Sequence, residues 1–160
     1  MVKTKRNRGM SKARSFINSL SSMYKSANKV YNNQLKDYNN VTLSEVDTMT
    51  GEQFEILLAN LFIRMGYSVR TTPTTGDYGA DLLLFDNSSL IVVQAKRYSS
   101  NVGVSAVQEI VSAKPVYSAS QAMVVSNAEF TKAAQNLARA NGVQLVGRAD
   151  LANLLRQYAN

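Results

Sequence analysis

"DLLLFDNSSLIVVQAK", residues 81–96, reads as two short apolar strands joined by a polar turn. Asp86, Asn87, Ser88 and Ser89 supply the turn chemistry between "LLLF" and "LIVV". A turn centred between Asn87 and Ser88 pairs residues symmetrically about that point, so Asp81 falls opposite Gln94. Cross-strand partners leave the same face of an antiparallel pair, with Cβ atoms about 5 Å apart. Lys96, two residues beyond Gln94, leaves that face too. A carboxylate, an amide and an ammonium are therefore expected at one end of a hairpin otherwise apolar enough for a core. A slip of one residue would break up the group, so the register decides fold and site together.

Upstream, "TMTGEQFEILLANLFIRMGY" predicts a helix capped by Thr50, with Gln53 as its capping-box partner. Phe54, Leu57, Leu58, Leu61 and Phe62 form its buried face, and Gly66 ends it. "YSVRTT" alternates as a strand, and "PTTGDYGA" is a turn cluster. Downstream of the hairpin come helix ("VSAVQEIVSAKPVY"), strand ("QAMVVS"), helix ("FTKAAQNLARAN"), strand ("VQLVG") and helix ("ADLANLLRQY"). That alternation predicts an α/β fold with helices covering a central mixed sheet.

The first 48 residues differ in character from residues 49–160. Nine basic residues and one acid fall before Val41, whereas the remainder is nearly neutral, and the whole carries +7 with a pI near 9.7. A basic arm favours a polyanionic partner, nucleic acid above all. Within it, Phe16, Ile17, Leu20, Tyr24, Ala27 and Tyr31 recur at helical spacing, which predicts one long amphipathic helix over residues 13–38. Such a stripe needs a cover: the body of the chain, a second copy as a coiled coil or higher oligomer, or a membrane surface, the last weakened by the asparagine and serine on its other face. "NNVTLSEVD" reads as a connector. No apolar run reaches the ~18–20 residues of a membrane span. "SFINSLSSMY" is too polar for the centre of a secretory signal, so the segment is read as part of a cytoplasmic protein, of a cell or a virus.

Absent residue types narrow the chemistry. Without cysteine there are no disulfides, thiolate metal sites or thiol nucleophiles, and without histidine the commonest general base near neutrality is missing. Catalysis would have to use carboxylates, lysine, hydroxyls or a hard metal ion. Mg²⁺ takes oxygen ligands, commonly one or two carboxylates with water and substrate phosphate. Asp81 and the Gln94 carbonyl are candidate ligands, with Glu55, bordering the buried face of the first helix, as reinforcement. Lys96 is the candidate for orienting a water or stabilising developing charge. Mn²⁺ is the expected substitute ion.

"TGEQFEILLANLFIRMGYSV", "TGDYGADLLL", "IVVQAKRYSSNVGVSAVQEI", "AMVVSNAEFTKAAQNLA" and "GVQLVGRADLANLL" together resemble the catalytic domain of Mrr-type restriction endonucleases, within the PD-(D/E)XK nuclease superfamily. Order and spacing agree across five segments, covering residues 50–155. The resemblance implies a restriction-endonuclease-like core and Mg²⁺-dependent cleavage of DNA. It also matches Asp81 to the motif aspartate, Gln94 and Lys96 to the second half of the motif, and Glu55 to the helix glutamate. Gln94 departs from the superfamily's usual Asp or Glu, although this branch commonly has Gln there. Gln108 matches a polar position of the family.

Around that site, Arg97, Tyr98 and Ser99 follow the lysine into a loop, and with Lys12 and Arg14 of the arm they are candidate DNA contacts. Asp77 is read as a turn former, Glu52 as a favourable charge at a helix start, and Thr131 as a cap. Three rival readings stand beside the endonuclease: a structure-selective junction resolvase, an inactive nuclease fold that binds DNA or protein, and a basic membrane-surface protein. Double-strand cleavage needs two active centres, which makes a homodimer through the N-terminal helix the expectation.

Overall fold

The computed structural model describes residues 38–72, 78–86 and 89–159. The helix expected over residues 13–38 lies outside them except for its last position, as do Lys12, Arg14 and Asp77. In chain order the elements are α1 (Leu43–Val46), α2 (Gly51–Arg64), β1 (Ser68–Thr71), β2 (Leu82–Phe85), β3 (Leu90–Lys96), α3 (Val104–Val116), β4 (Gln121–Ser126), α4 (Lys132–Asn141), β5 (Val143–Val146) and α5 (Arg148–Tyr158). No helix among them is long and apolar enough to cross a membrane.

α2 begins as its capping signal dictates. Gln53 N donates to Thr50 Oγ1 at 3.2 Å, and Thr50 N donates to the Gln53 side chain at 2.9 Å. Gly66, at φ +97°, turns the chain out of the helix where a side chain would be strained. The expected connector instead contains α1. Thr42 and Glu45 form a second capping box, and fully buried Val46 anchors the single turn to the core. Asn40 does break the chain direction, at φ +61°. Nearby, the Arg64 guanidinium donates to Asn39 Oδ1 at 2.6 Å and to the Tyr158 carbonyl at 2.8 Å, tying this stretch and the end of α5 to α2.

The five strands lie in the order β1-β2-β3-β4-β5, the first two pairings antiparallel and the last two parallel. Leu82 faces Val93 and Phe85 faces Leu90, which is the register expected from a turn between Asn87 and Ser88. α3 and α4 carry the parallel crossovers and cover one face, where Leu83, Val92 and Val124 meet Ala106, Val107, Ile110 and Ala134. α2 and α5 cover the other face, toward which the pleat turns Leu82, Leu84, Val93 and Val125. With both faces covered, "LLL" and "IVV" are unbroken apolar runs, not alternating ones. Gln94 and Lys96 share the parity of Val92 and lie on the side of α3; Asp81 stands just before β2, beyond the paired residues of the hairpin.

Candidate active site

Asp81 sits where β2 starts, and backbone contacts fix it from both sides. Its N–H donates to the Val93 carbonyl at 2.8 Å, and its carbonyl accepts from Thr72 N at 3.1 Å. Its carboxylate accepts from Ala95 N at 2.7 Å, filling the place of a strand carbonyl beyond the end of β2. One element further on, the Lys96 carbonyl accepts from the hydroxyl of fully buried Ser126 at 2.6 Å. The acid and the lysine are thus placed by hydrogen bonds to strand backbone.

The third partner comes from α3. Glu109 Oε2 accepts from Gln94 Nε2 at 2.5 Å and from Lys96 Nζ at 2.8 Å. Partial burial works against the charged form of Glu109. The hydrogen bonds from Lys96 and Gln94, together with the lysine's charge, outweigh it and hold the carboxyl below its ordinary range. Gln94 is 3% exposed, and its Oε1 is buried without a hydrogen-bond partner. Gly79, at φ +87°, lets the preceding turn lie against the helix at this point. A Cβ there would stand 2.9 Å from Glu109 Cβ and 3.2 Å from its carbonyl carbon and oxygen.

Of the four residues expected in the site, the fold brings three together: Gln94 and Lys96 share one face of β3, and the Asp81 carboxylate accepts from the backbone N–H of Ala95 between them. Glu55 stands half-buried on α2, the helix that packs against the opposite face. Among the described residues no group of three or more His, Cys, Asp and Glu side chains is arranged to hold a metal ion. The donors that fit a hard cation are the Asp81 carboxylate and the partnerless Gln94 carbonyl, an acid and a neutral oxygen of the kind Mg²⁺ accepts. Gln108 is exposed, and the site contact from that helix is made by its neighbour Glu109, which sequence reading had passed over. The signal was present: Glu109 lies three residues after Ala106 and four before Ala113, at the border of the buried stripe.

Arg97, Tyr98 and Ser99 line a cleft of about 450 Å³ together with Asp47, Asn127 and Arg148. Tyr98 is 42% exposed, but Arg97 is half-buried and donates to the Asp47 carbonyl at 3.1 Å. Arg148 grips the Asp47 carboxylate with two hydrogen bonds of 2.8 Å, and Asn127 Nδ2 adds a third at the same length. The Asn127 amide oxygen accepts from Tyr98 N at 2.8 Å. This cluster ties α1, the ends of β3 and β4, and the start of α5 together. Thr131 caps α4 as expected, accepting from Ala134 N at 3.2 Å.

Fold and site together define a restriction-endonuclease-like α/β domain, with its polar constellation at the end of the antiparallel hairpin. The chain belongs to the Mrr-type restriction endonuclease family, whose catalytic domain, described as "Restriction endonuclease", matches residues 46–155. Among solved structures it is similar to AspBHI, a DNA modification-dependent restriction endonuclease (20% identity, TM-score 0.57, covering 72% of this chain and 34% of that one). It is also similar to the MspJI restriction endonuclease in complex with a 27-mer oligonucleotide (20%, 0.54, 82% and 32%). A third neighbour is a protein of unknown function, AF1548 (15%, 0.58, 66% and 64%). The chain spans just under two thirds of AF1548 and about a third of the two endonucleases. Among curated protein sequences none matches significantly.

Proposed function

We propose that this protein is a Mg²⁺-dependent DNA endonuclease that hydrolyses phosphodiester bonds at the Asp81–Gln94–Lys96 constellation, with Mn²⁺ as a substitute ion. The observation that carries this reading is a buried, partnerless Gln94 carbonyl on the same strand face as the Lys96 ammonium, with the Asp81 carboxylate hydrogen-bonded to the backbone between them. Family membership supports the reaction class, and a solved relative in complex with an oligonucleotide supports DNA as the partner.

Asp81 and the Gln94 carbonyl would hold the cation; Glu55, expected beside them, stands on α2 across the sheet and is not among the ligands. A bound divalent ion supplies positive charge to the phosphoryl group and lowers the pKa of water. Lys96 exchanges its contact with Glu109 for the nucleophilic water or a phosphate oxygen, and there offsets the negative charge of the transition state. Tyr98 and Ser99, with Arg97 behind them, contact the sugar–phosphate backbone beside the scissile bond. Lys12 and Arg14 of the arm, residues 1–48, add sequence-independent attraction to the domain of residues 49–160. A homodimer through that arm would bring two centres to one duplex, in the cytoplasm. Sedimentation at micromolar concentration tests it, and a monomer alone would remove it.

The test of the site is nicking of supercoiled plasmid with and without Mg²⁺. Asp81→Ala and Lys96→Ala each lower cleavage by at least about 10²-fold while the circular-dichroism spectrum is retained. Parental rates in both variants would end the assignment. The sparse acid complement favours a second reading, a non-cleaving DNA-binding module. Tight DNA binding with no nicking in Mg²⁺ or Mn²⁺ would establish that alternative.

A further inference from the structure

We propose that Glu109 is a positioning residue that fixes which end of the Gln94 amide meets the cation, an inference that rests on the metal-dependent reading above. A glutamine side chain ends in a carbonyl that a hard cation binds and an NH₂ that it does not. Half a turn about the last bond exchanges the two, so a glutamine ligand needs something to select its orientation. Glu109 Oε2 is an acceptor only, and it takes Gln94 Nε2 at 2.5 Å and Lys96 Nζ at 2.8 Å. The reverse orientation would bring the buried Gln94 carbonyl against the partly exposed Glu109 carboxylate, an acceptor facing an acceptor. The selected orientation leaves Oε1 buried and partnerless, an unfavourable state that a cation relieves. Glu109 is held in turn by the chain that leads into Asp81, because Gly79 seats against its Cβ and carbonyl. The turn that delivers the acid therefore also fixes the residue that orients the amide.

The experiment is calorimetric titration of the full chain with Mn²⁺ in the absence of DNA. Glu109→Ala weakens binding by about tenfold or more, the usual cost of removing a partner behind a metal ligand. Glu109→Gln keeps an oxygen for Nε2 and Nζ and binds more tightly than the alanine variant. Equal losses in the two variants would leave Glu109 a purely electrostatic role, and a loss in Glu109→Gln as deep as in Asp81→Asn would make it a ligand. Either result overturns the proposal, as does unchanged binding in Glu109→Ala, and all three leave the metal-dependent reading standing. An absence of Mn²⁺ binding by the parental chain would overturn the proposal, while the metal-dependent reading falls only if the plasmid is not nicked in Mg²⁺ or Mn²⁺. A second measurement needs no variant: the Gln94 side-chain NH₂ resonances are displaced from those of free glutamine and stay so on addition of Mg²⁺. Resonances at the free-glutamine position would overturn the proposal even if the alanine variant did not fold.

Discussion

Two buried side-chain amides have opposite surroundings. Gln94 has its NH₂ bound by Glu109 and Lys96 nearby, whereas Asn60, 2% exposed on α2, has neither end of its amide partnered. A buried polar group without a hydrogen bond costs about 1–3 kcal/mol, and replacing it by an apolar group of similar shape removes that cost. Asn60→Leu is therefore expected to raise stability by about 1 kcal/mol, the remainder being lost to imperfect packing. A denaturant melt checks it, and a midpoint equal to or below the parental one would mean that an internal water already satisfies the amide. The same substitution at Gln94 is expected to act on cation binding instead, since its buried, partnerless carbonyl is a proposed ligand.

At the scale of elements, the decisive joint is the contact between the turn before β2 and the middle of α3. Gly79 has φ +87° and no room for a Cβ, because the nearest neighbours are Glu109 Cβ and its carbonyl, not the tip of a flexible side chain. Gly79→Ala would combine backbone strain with a steric clash, and is expected to destabilise by more than about 1 kcal/mol. Because the displaced α3 carries Glu109, plasmid nicking should fall further than the loss of folded protein explains. A variant that melts and cuts like the parent would show that the turn and helix move apart freely.

Across the whole molecule, Asp47 and Arg148 join segments 101 residues apart. The Asp47 carboxyl is held below its ordinary value chiefly by the Arg148 hydrogen bonds, against an opposing effect of burial; Asn127 and the charges of Arg148 and Arg97 add to the lowering. A folded-state pKa below the unfolded one contributes stability that is fully present above the unfolded value, about 3.9. It is lost as pH falls through the folded value. With 38% of the Asp47 side chain exposed, solvent screening keeps the contribution modest. Asp47→Asn is expected to lower the melting temperature at pH 7 and to narrow its gap to the parent below about pH 4. A gap constant across that range would show that the pair adds nothing through its charge.

Local geometry was legible because a single element or a tight turn generates it. The capping boxes at Thr42 and Thr50 follow from four-residue spacing, although the polar stretch around Thr42 reads as a connector and its single helical turn shows only in the fold. The hairpin register followed from the symmetry of one turn, and the common face of Gln94 and Lys96 from the two-residue repeat of the strand. Helical periodicity puts Glu55 at the border of a buried stripe and would have put Glu109 at another, but periodicity does not say which side of the sheet a helix covers. Tertiary packing decided that: α2 went to one face, and α3 brought Glu109 to the other, against Gln94 and Lys96. Asp47 and Arg148 gave no sequence signal at all, since a contact between distant segments depends on how every intervening element packs. The strand positions were set by backbone spacing, and the partners that orient them by the docking of helices, which no local pattern encodes.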